Sequence, residues 1–508
     1  MPTPASPSAP TPAELDRYRQ GADRFIAALD EEYYLHYAGH KDELELEPIY
    51  AEHAELTSLA SAQGIGAAWQ ADPSRRMTEL WRFACEGYLG GLTREHAEKV
   101  AALEATLEAR LGEQTVGFRM LRPTMANEPD RDRRGLLEAA RNQLTDEHLN
   151  PLHREALAVE AEALRALGVE TSYELYAGRF GLKLDALAAQ CRAFLSSTEG
   201  LYEKAADKLF RARAGVPLKD VRRWDTVRVM RAPEWDPYFK GDLMVPALKA
   251  TLADLGVDLD AQRASGQVVV DDEQRPNKTP RAFCSPIEVP GKVMLVIQPM
   301  GGADDWRALF HEAGHTEHFA FTSPDLPVEA RRMGDNAVTE GWAMLLQHLT
   351  DEPAWINRRL DFPRADEFAW EGATTLLFFV RRYCAKLLYE LEFHRTPPGE
   401  IDTMRSRYVE LLGDALKIEP SPTDFLSDID PGFYVSNYLR SWAFEAQIRT
   451  HLKHEFGTTW FARREAGGLL RELWSEGQRL DAHDLLRQVT GAEVEMEAVA
   501  ERIREHVR

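Results

Sequence analysis

The sequence predicts a mainly α-helical protein that contains a small β sheet. Nearly every segment of residues 12–215 repeats apolar side chains at intervals of three and four, which places them on one face of a helix. Two short runs, "GQVVVDD" (266–272) and "KVMLVIQ" (292–298), are instead β-branched or apolar and too short for helices. Helical periodicity returns at Asp304 and continues almost to the end, so these strands are expected in the middle of the chain.

The helices of the N-terminal part follow one another closely. "SRRMTELWRFACEGYL" (74–89) carries apolar residues on one side, and the next predicted helix, residues 92–112, ends at a glycine. Residues 146–168 begin with an aspartate that can cap a helix, and they end at Gly168 in the same way. A further long helix is predicted over residues 183–213. These segments show no repeat of fixed length, so a solenoid is not expected.

The composition of the chain changes near residue 216, and this change predicts the domain organisation. Residues 1–11 are expected to form a disordered tail, because they have neither the basic start nor the apolar core of a secretory signal. Residues 12–215 are predicted to form an N-terminal helical region. Residues 216–508 are predicted to hold the small sheet, the C-terminal helices and the catalytic chemistry described below.

Charge and cysteine content exclude several classes of function. The 508 residues include 61 basic and 83 acidic ones, for a formal charge of -22, which argues against nucleic acid or an anionic membrane as a partner. No run approaches the roughly 18 uninterrupted apolar residues of a membrane span. Cysteines occur only at 85, 191, 284 and 384, without C-x-x-C spacing, which predicts free thiols and a cytoplasmic location. The oligomeric state is left open.

The motif with catalytic potential lies in the segment "LFHEAGHTEHFAF" (309–321). His311 and His315 are four residues apart, so on a helix both rings lie on one face and can reach one ion. Glu312 projects near the same end and can contact a water molecule held by that ion. This H-E-x-x-H pattern is typical of zinc peptidases, in which two imidazoles bind Zn²⁺ and the glutamate takes a proton from water. The acidic pair at 304–305 is predicted to cap this helix.

Two histidines leave a catalytic zinc ion short of its usual third protein ligand. The three-histidine motif would place another histidine six residues after His315, but Phe321 occupies that position. His318 cannot join His311 and His315 at one ion with tetrahedral geometry on a straight helix. A supporting contact next to the metal ligands, a contact with substrate, and simple core packing all stay open for His318.

A glutamate from another helix is therefore expected to complete the site. Glu317 points away from the ligand face, and Glu329 lies in a polar stretch beside arginines. Glu340 is different because it interrupts the apolar helix "DNAVTEGWAMLLQHL" (335–349), where an unpaired carboxylate costs several kcal/mol. A metal ion would remove that cost.

Two features next to Glu340 bear on this prediction. Gly341 lets a second helix approach closely, although glycine in a helix costs about 1 kcal/mol relative to alanine. The alternative explanation of the buried carboxylate is an ion pair between Glu340 and a nearby arginine, Arg331 or Arg332.

Three segments of the sequence together match one family. "RALFHEAGHTEH" (307–318) has the pattern H-E-x-G-H-x-x-H, and Glu340 follows His315 after 25 residues. "RPNKTPRAFCSP" (275–286) precedes a predicted strand and then this helix, and "PGFYVSNYLRSW" (431–442) follows further on. In these segments, which span about a third of the chain, the sequence resembles the thimet oligopeptidase and oligoendopeptidase F group of zinc peptidases.

The resemblance implies a zincin-type catalytic domain in a two-lobed helical body, with a deep substrate channel that admits short peptides and excludes folded proteins. It implies one Zn²⁺ per chain, bound by His311, His315 and Glu340, with Glu312 as the catalytic base. The implied activity is hydrolysis of peptide bonds in short peptides. A related gluzincin carboxypeptidase, a zinc amidohydrolase and a non-catalytic zinc-stabilised peptide-binding scaffold stay open as alternatives.

The resemblance also implies catalytic tyrosines in the segment 431–442. Tyr434 and Tyr438 are four residues apart and can share a helix face, from which a phenol donates a hydrogen bond to an oxyanion. An alignment shifted by one residue would put Phe433 and Asn437 in those places, and packing in the core is a further alternative.

The chain departs from the family pattern just before these tyrosines. The family usually carries a histidine there, whereas "FLSDIDPGFY" (425–434) offers Asp428 and Asp430. Part of the family's usual support for the transition state is therefore not expected from this segment.

Overall fold

The computed structural model describes residues 9–507, and most of them are helical. Helices take up 72% of the chain and strands 5%, which confirms the predicted mainly α fold. Residues 1–8 of the predicted tail lie outside the described residues. The last tail residue, Thr11, caps the first helix, because its hydroxyl accepts from the N–H of Glu14 (3.4 Å) and the Glu14 carboxylate accepts from the N–H of Thr11 (2.7 Å).

Helices occur along the whole described chain. The first group comprises α1 (Pro12–Tyr37), α2 (Glu47–Glu52), α3 (Leu59–Ala71), α4 (Arg75–Thr106), α5 (Phe118–Asn127), α6 (Arg131–Leu144), α7 (Asn150–Ala166), α8 (Leu184–Ser197), α9 (Glu199–Ala214), α10 (Arg223–Arg231), α11 (Met244–Asp254) and α12 (Leu259–Ser265). The second group comprises α13 (Ala303–Phe321), α14 (Val328–Arg332), α15 (Asn336–Gln347), α16 (Pro353–Arg359), α17 (Ala365–Phe393), α18 (Met404–Leu416), α19 (Val435–Phe456), α20 (Arg464–Ser475), α21 (Ala482–Thr490) and α22 (Glu497–His506). Among the described residues, none of the helices combines the length and the apolar character that a bilayer crossing requires.

The strands form a hairpin and a small three-stranded sheet. They are β1 (Glu108–Leu111), β2 (Gln114–Gly117), β3 (Val268–Asp271), β4 (Phe283–Glu288) and β5 (Lys292–Val296). The sheet has the order β3-β5-β4, with β3 parallel and β4 antiparallel to the central strand β5. The strands predicted within 266–272 and 292–298 are thus confirmed. The edge strand β4 was not predicted, because Pro286 interrupts it, and its pairing with β5 is irregular at that point.

The prediction of a helix over residues 92–112 is wrong at both ends. α4 continues without a break through Gly90 and Gly91, where a side chain would meet nothing within 4 Å. The end of the predicted helix is instead the β1–β2 hairpin. Gly112 lies in its turn with φ 66°, a left-handed conformation that favours glycine.

Two other helix predictions need correction. Residues 183–213 form two helices, α8 and α9, which meet at Thr198, whose buried hydroxyl donates to the carbonyl of Phe194 (2.7 Å). The helix predicted over 146–168 starts later, because residues Thr145–Leu149 form a π-helical turn between α6 and α7. Its predicted end at Gly168 is confirmed, since this glycine has φ 80° and follows the last turn.

The described chain divides into two compact units. Unit 1 comprises the described residues within Met1–Cys85, Glu234–Ala369 and Arg440–Val499, and unit 2 comprises those within Glu86–Pro233, Trp370–Leu439 and Ala500–Arg508. Each unit combines residues from both sides of the boundary predicted near residue 215, and that boundary stays a prediction. The substrate channel implied by the resemblance also stays a prediction.

The core of unit 1 is built around the helix that carries the H-E-x-x-H motif. α13 packs against α15 and against β4 and β5 of the small sheet. Its apolar side, with Trp306, Leu309, Phe310 and Ala313, is buried. α15 is buried throughout residues 337–346, so any polar side chain on its inner face is held among fixed neighbours.

A buried ion pair fixes the start of α15. Asp335 precedes the helix and accepts a hydrogen bond from the N–H of Ala337 (3.1 Å) and another from the N–H of Ala482 (3.1 Å). Arg440 donates to both oxygens of Asp335, at 2.6 and 2.8 Å. Burial alone would raise the pKa of Asp335, but Arg440 lowers it below its ordinary value. The charged pair therefore holds α15, and with it Glu340, in one position.

Candidate metal centre

The structure brings His311, His315 and Glu340 together in unit 1. The Glu340 Oε2 lies 3.4 Å from the Nε2 of His311 and 3.8 Å from the Nε2 of His315. The three candidate ligand atoms all lie within 4.8 Å of one another. Zinc bonds of about 2.0–2.1 Å in a tetrahedron place their ligand atoms about 3.3 Å apart. The donor set of two imidazoles and one carboxylate therefore fits a zinc ion with little adjustment.

A glycine explains how two helices come close enough for this arrangement. Gly314 lies on α13 between the two histidines, and a Cβ there would be 2.5 Å from the Cα of Ala343 and 2.5 Å from the carbonyl oxygen of Trp342. Only a residue without a side chain allows this backbone contact between α13 and α15. Gly341 has the corresponding role on the far side of α15, since a Cβ there would meet the ring of Phe444 at 2.4 Å.

Both histidines are oriented by side chains of the same partner helix. The Nδ1 of His311 lies 2.8 Å from the Oε1 of Gln347, and the Nδ1 of His315 lies 2.8 Å from the hydroxyl oxygen of Thr339. Each oxygen can accept the Nδ1 proton, which leaves the Nε2 lone pair free to bind a metal ion. Burial lowers the pKa of His315 to about 3, so this ring is neutral. Sequence reasoning missed Gln347 and Thr339, although polar residues within an apolar helix were a signal.

Glu312 lies beside the three candidate ligands without belonging to the group. One carboxylate oxygen, Oε2, accepts a hydrogen bond from the backbone N–H of Cys284 on β4 (2.9 Å). Burial and, to a smaller extent, the nearby carboxylate of Glu340 together raise the pKa of Glu312 to about 7, against the opposing effects of His311 and of the Cys284 hydrogen bond. Within the described residues, the structure gives no hydrogen bond to the other oxygen of Glu312, so that oxygen is available to a water molecule.

The alternative ion pair for Glu340 is not found. Arg331 donates to Asp23 (2.8 Å) and Arg332 contacts the same carboxylate (2.8 Å), whereas Glu340 lies against the two histidines. The negative charge of Glu340 therefore faces the candidate metal position.

The other acidic residues considered from the sequence have different surroundings. Glu317 is buried and accepts from the amide nitrogen of Gln262 (2.9 Å), and burial raises its pKa to about 7. Glu329 is bonded to Arg19 (2.6 Å) and Arg76 (3.0 Å). Neither belongs to the group around the candidate metal position.

His318 is fully buried near the end of α13 and lies outside the three-residue group. Burial lowers the pKa of His318 to about 4, which keeps the ring neutral. Its ring lies beside that of Phe319, with centroids 5.3 Å apart. These surroundings favour the packing explanation over a contact with a ligand.

The predicted capping role of the acidic pair at 304–305 is wrong. α13 begins at Ala303, and the preceding residue, Gly302, gives no side-chain cap. Asp305 instead accepts hydrogen bonds from the N–H groups of Met300 (3.1 Å) and Gly301 (3.0 Å). This contact stabilises the turn that leads from the sheet into α13, where both glycines have positive φ, 92° and 95°.

The two predicted tyrosines belong to unit 2. Tyr434 follows the short 3-10 turn Pro431–Phe433, and Tyr438 lies in the first part of α19. Their rings are adjacent, with centroids 5.2 Å apart. Phe433 is fully buried beside His394 (4.7 Å), so it belongs to the core of unit 2. The catalytic role of Tyr434 and Tyr438 stays a prediction.

The partners of the histidines lead to a testable expectation. Replacing Gln347 with leucine removes the acceptor for the Nδ1 proton of His311, and we expect zinc affinity to fall about 10- to 100-fold. Gln347→Glu is the matched control because it keeps an acceptor oxygen at the same place, and we expect it to bind zinc at least as tightly as the parent. Competition with a chromogenic zinc chelator measures both. Equal affinity of Gln347→Leu and the parent would remove Gln347 from this role.

Comparison with known proteins supports the fold. No family model and no curated protein matches the sequence. Among solved structures, a Bacillus anthracis str. Ames protein assigned as an oligoendopeptidase F matches with a TM-score of 0.64 and 16% identity, over 99% of this chain and 96% of that one. PZ peptidase A with an inhibitor matches with a TM-score of 0.67 and 15% identity, over 98% of both chains. A second structure assigned as an oligoendopeptidase F matches with a TM-score of 0.66 and 14% identity, over 98% of this chain and 96% of that one. The chain therefore has the oligoendopeptidase F fold.

Proposed function

We propose that the protein is a zinc-dependent oligopeptidase, which hydrolyses peptide bonds in short peptides. The observation that carries the proposal is the convergence of His311, His315 and Glu340 within 4.8 Å, with Glu312 half-buried beside them on the same helix as the histidines. The fold comparisons support it, because the similar structures are described as oligoendopeptidases and a peptidase. Those names and the resemblance of the motifs also support short peptides as the substrates.

The three ligands and the base have separate tasks in this proposal. His311, His315 and Glu340 would hold one zinc ion, which when bound supplies Lewis-acid activation of water and of a carbonyl group. Glu312 accepts the proton of the attacking water through its free oxygen and then delivers it to the amine that leaves. The Cys284 N–H keeps the carboxylate of Glu312 in a single orientation by holding its second oxygen. The base is thus positioned before substrate arrives.

Tyr434 and Tyr438 are proposed to donate hydrogen bonds to the developing oxyanion. Their support is the family-like segment in which they lie and the adjacency of their rings. A role of this kind lowers turnover more than substrate affinity when the phenol is lost, because the bond strengthens in the transition state.

A digest of a mixed-length peptide library, read by mass spectrometry, tests the proposal. The protein is assayed as prepared, after removal of metal with a chelator, and after zinc is restored. We expect internal cleavage of short peptides that is lost with the metal and regained with zinc. Release of single C-terminal residues would point to a carboxypeptidase, and intact peptides together with cleavage of non-peptide amides added to the same assay would point to an amidohydrolase. A zinc-loaded protein that cleaves nothing would be a binding scaffold, and the proposed function would be wrong.

A further inference from the structure

Unit 2 contains a cavity of about 440 Å³ that is rich in arginine. Its volume lies within the range of about 300–1,000 Å³ that is common for small-molecule sites. The charged side chains of its lining are four arginines and four carboxylates: Arg122, Arg141, Arg223, Arg382, Glu104, Glu419, Asp424 and Asp428.

One buried carboxylate contacts three of the guanidinium groups. Asp424 lies 2.8 Å from Arg141, 3.3 Å from Arg223 and 3.5 Å from Arg122. The only other carboxylate bonded to these arginines in the described part of the chain is Glu138, which pairs with Arg223. Three guanidinium groups thus share two bonded carboxylates, while Glu104 and Glu419 line the cavity without bonding to them.

Of the three arginines, Arg122 has the longest contact with Asp424. Its only hydrogen bond within the described residues is the 3.5 Å contact with Asp424, which exceeds the usual 2.7–3.2 Å of such bonds. The side chain is 53% exposed and lines the cavity. The guanidinium group is charged at neutral pH. Arg122 therefore presents unused donors and a positive charge to the cavity.

The fourth arginine of the lining is paired with a separate carboxylate. Arg382 donates to Asp428, which also accepts from the hydroxyl of Tyr408 (2.7 Å). Glu104 and Glu419 line the cavity as well, but neither bonds to Arg122, and Glu419 is exposed to solvent. An anion that pairs with Arg122 therefore has to contact the guanidinium group of this residue directly.

One wall of the cavity is apolar. Phe379 is one of the exposed large apolar side chains of the described residues, at 36% exposure, and it lies next to the buried Phe378. Val227, Leu412 and Leu416 extend this wall. A ligand that contacts both Arg122 and the apolar wall therefore has a negatively charged head group and an apolar body.

We propose that this cavity binds a small organic carboxylate, whose head group pairs with Arg122 and whose apolar body packs against Phe379. A carboxylate matches the two parallel donors of a guanidinium group, and it can accept from the donors of Arg122 that the long contact with Asp424 leaves unused. This site is independent of the proposed peptidase chemistry, since it lies wholly within unit 2.

Calorimetric titration of the full-length protein with phenylacetate tests this proposal. We expect saturable binding that weakens at least tenfold in Arg122→Gln, because the charge-assisted pair is lost. The matched control is Arg119→Gln, which removes the same charge from the same helix. Arg119 is exposed and donates to the carbonyl of Ala101 (2.9 Å), outside the cavity lining, so its loss leaves the affinity within about twofold.

Further arms of the titration separate this site from unspecific binding. Phenethylamine, which carries the opposite charge, is expected to show no saturable binding. Phe379→Ala should weaken phenylacetate binding, and it keeps the proposal testable if Arg122→Gln lowers the thermal stability of the fold. Equal affinity of Arg122→Gln and the parent, equal binding of phenethylamine, or unsaturable binding of phenylacetate would each overturn the proposal.

Discussion

Glu312→Gln is expected to lower the rate of peptide hydrolysis about 10²–10⁴-fold while zinc stays bound. Glutamine has nearly the same shape, and its amide oxygen can still accept the hydrogen bond from Cys284. It cannot accept a proton from water at neutral pH, so the step that generates the nucleophile is lost. The measurement is turnover of quenched fluorescent peptides, together with metal content of the same preparation.

Glu317→Gln provides the matched control for this experiment. Glu317 lies on the same helix and is buried, but its carboxylate faces Gln262 rather than the histidines. Because an amide can replace the carboxylate in that contact, we expect turnover of Glu317→Gln to stay within a few-fold of the parent. If Glu312→Gln hydrolyses peptides as fast as Glu317→Gln, the base assigned here is wrong.

Gly314→Ala is expected to weaken zinc binding at least about 100-fold, although alanine is the better helix former. The intrinsic helix preference of alanine over glycine, about 1 kcal/mol, would stabilise α13 in isolation. In the folded protein the added methyl group would lie 2.5 Å from backbone atoms of α15, and overpacking of this kind costs about 1–3 kcal/mol. The two helices must then separate. Because the distances between a metal ion and its ligand atoms have to be correct within about 0.2 Å, the three ligands can no longer bind one ion together.

The control for Gly314→Ala is Gly468→Ala in α20 of the same unit. A side chain at position 468 would meet nothing within 4 Å, so the substitution should be neutral or slightly stabilising. Zinc affinity and the thermal midpoint are measured for both variants. Parent-like zinc affinity in Gly314→Ala would mean that the close contact between α13 and α15 does not set the geometry of the site.

The chemistry of α13 was predictable because it depends on residues that are close in sequence. The spacing of His311 and His315 places both rings on one helix face, and Glu312 beside them is the expected base. The strands near 266–272 and 292–298 were also readable from local composition. Edge strand β4 was not, because its backbone pairing with β5 overrides the weak strand preference of a segment that contains proline.

The acidic ligand needed more than local information. The apolar surroundings of Glu340 marked it as unusual, but Arg331 and Arg332 offered an equally local explanation. Only the packing of α13 on α15 decides between them, since it places Glu340 against the histidines while both arginines contact Asp23. The same packing brings Gln347 and Thr339 to the histidine rings, and no sequence spacing specifies those contacts.

By itself, the sequence determined that this protein is mainly helical and that one helix presents two histidines and a glutamate in the pattern of a metal site. Both features follow from intervals of a few residues, which the geometry of a helix converts directly into positions in space. The tertiary structure alone decided that α13 and α15 meet at Gly314, that the Cys284 N–H holds Glu312, and that Arg122 lines a cavity of unit 2 with only a long contact to Asp424. These features depend on the contact between chain segments that are distant in sequence, and such contacts are set by the packing of the whole core.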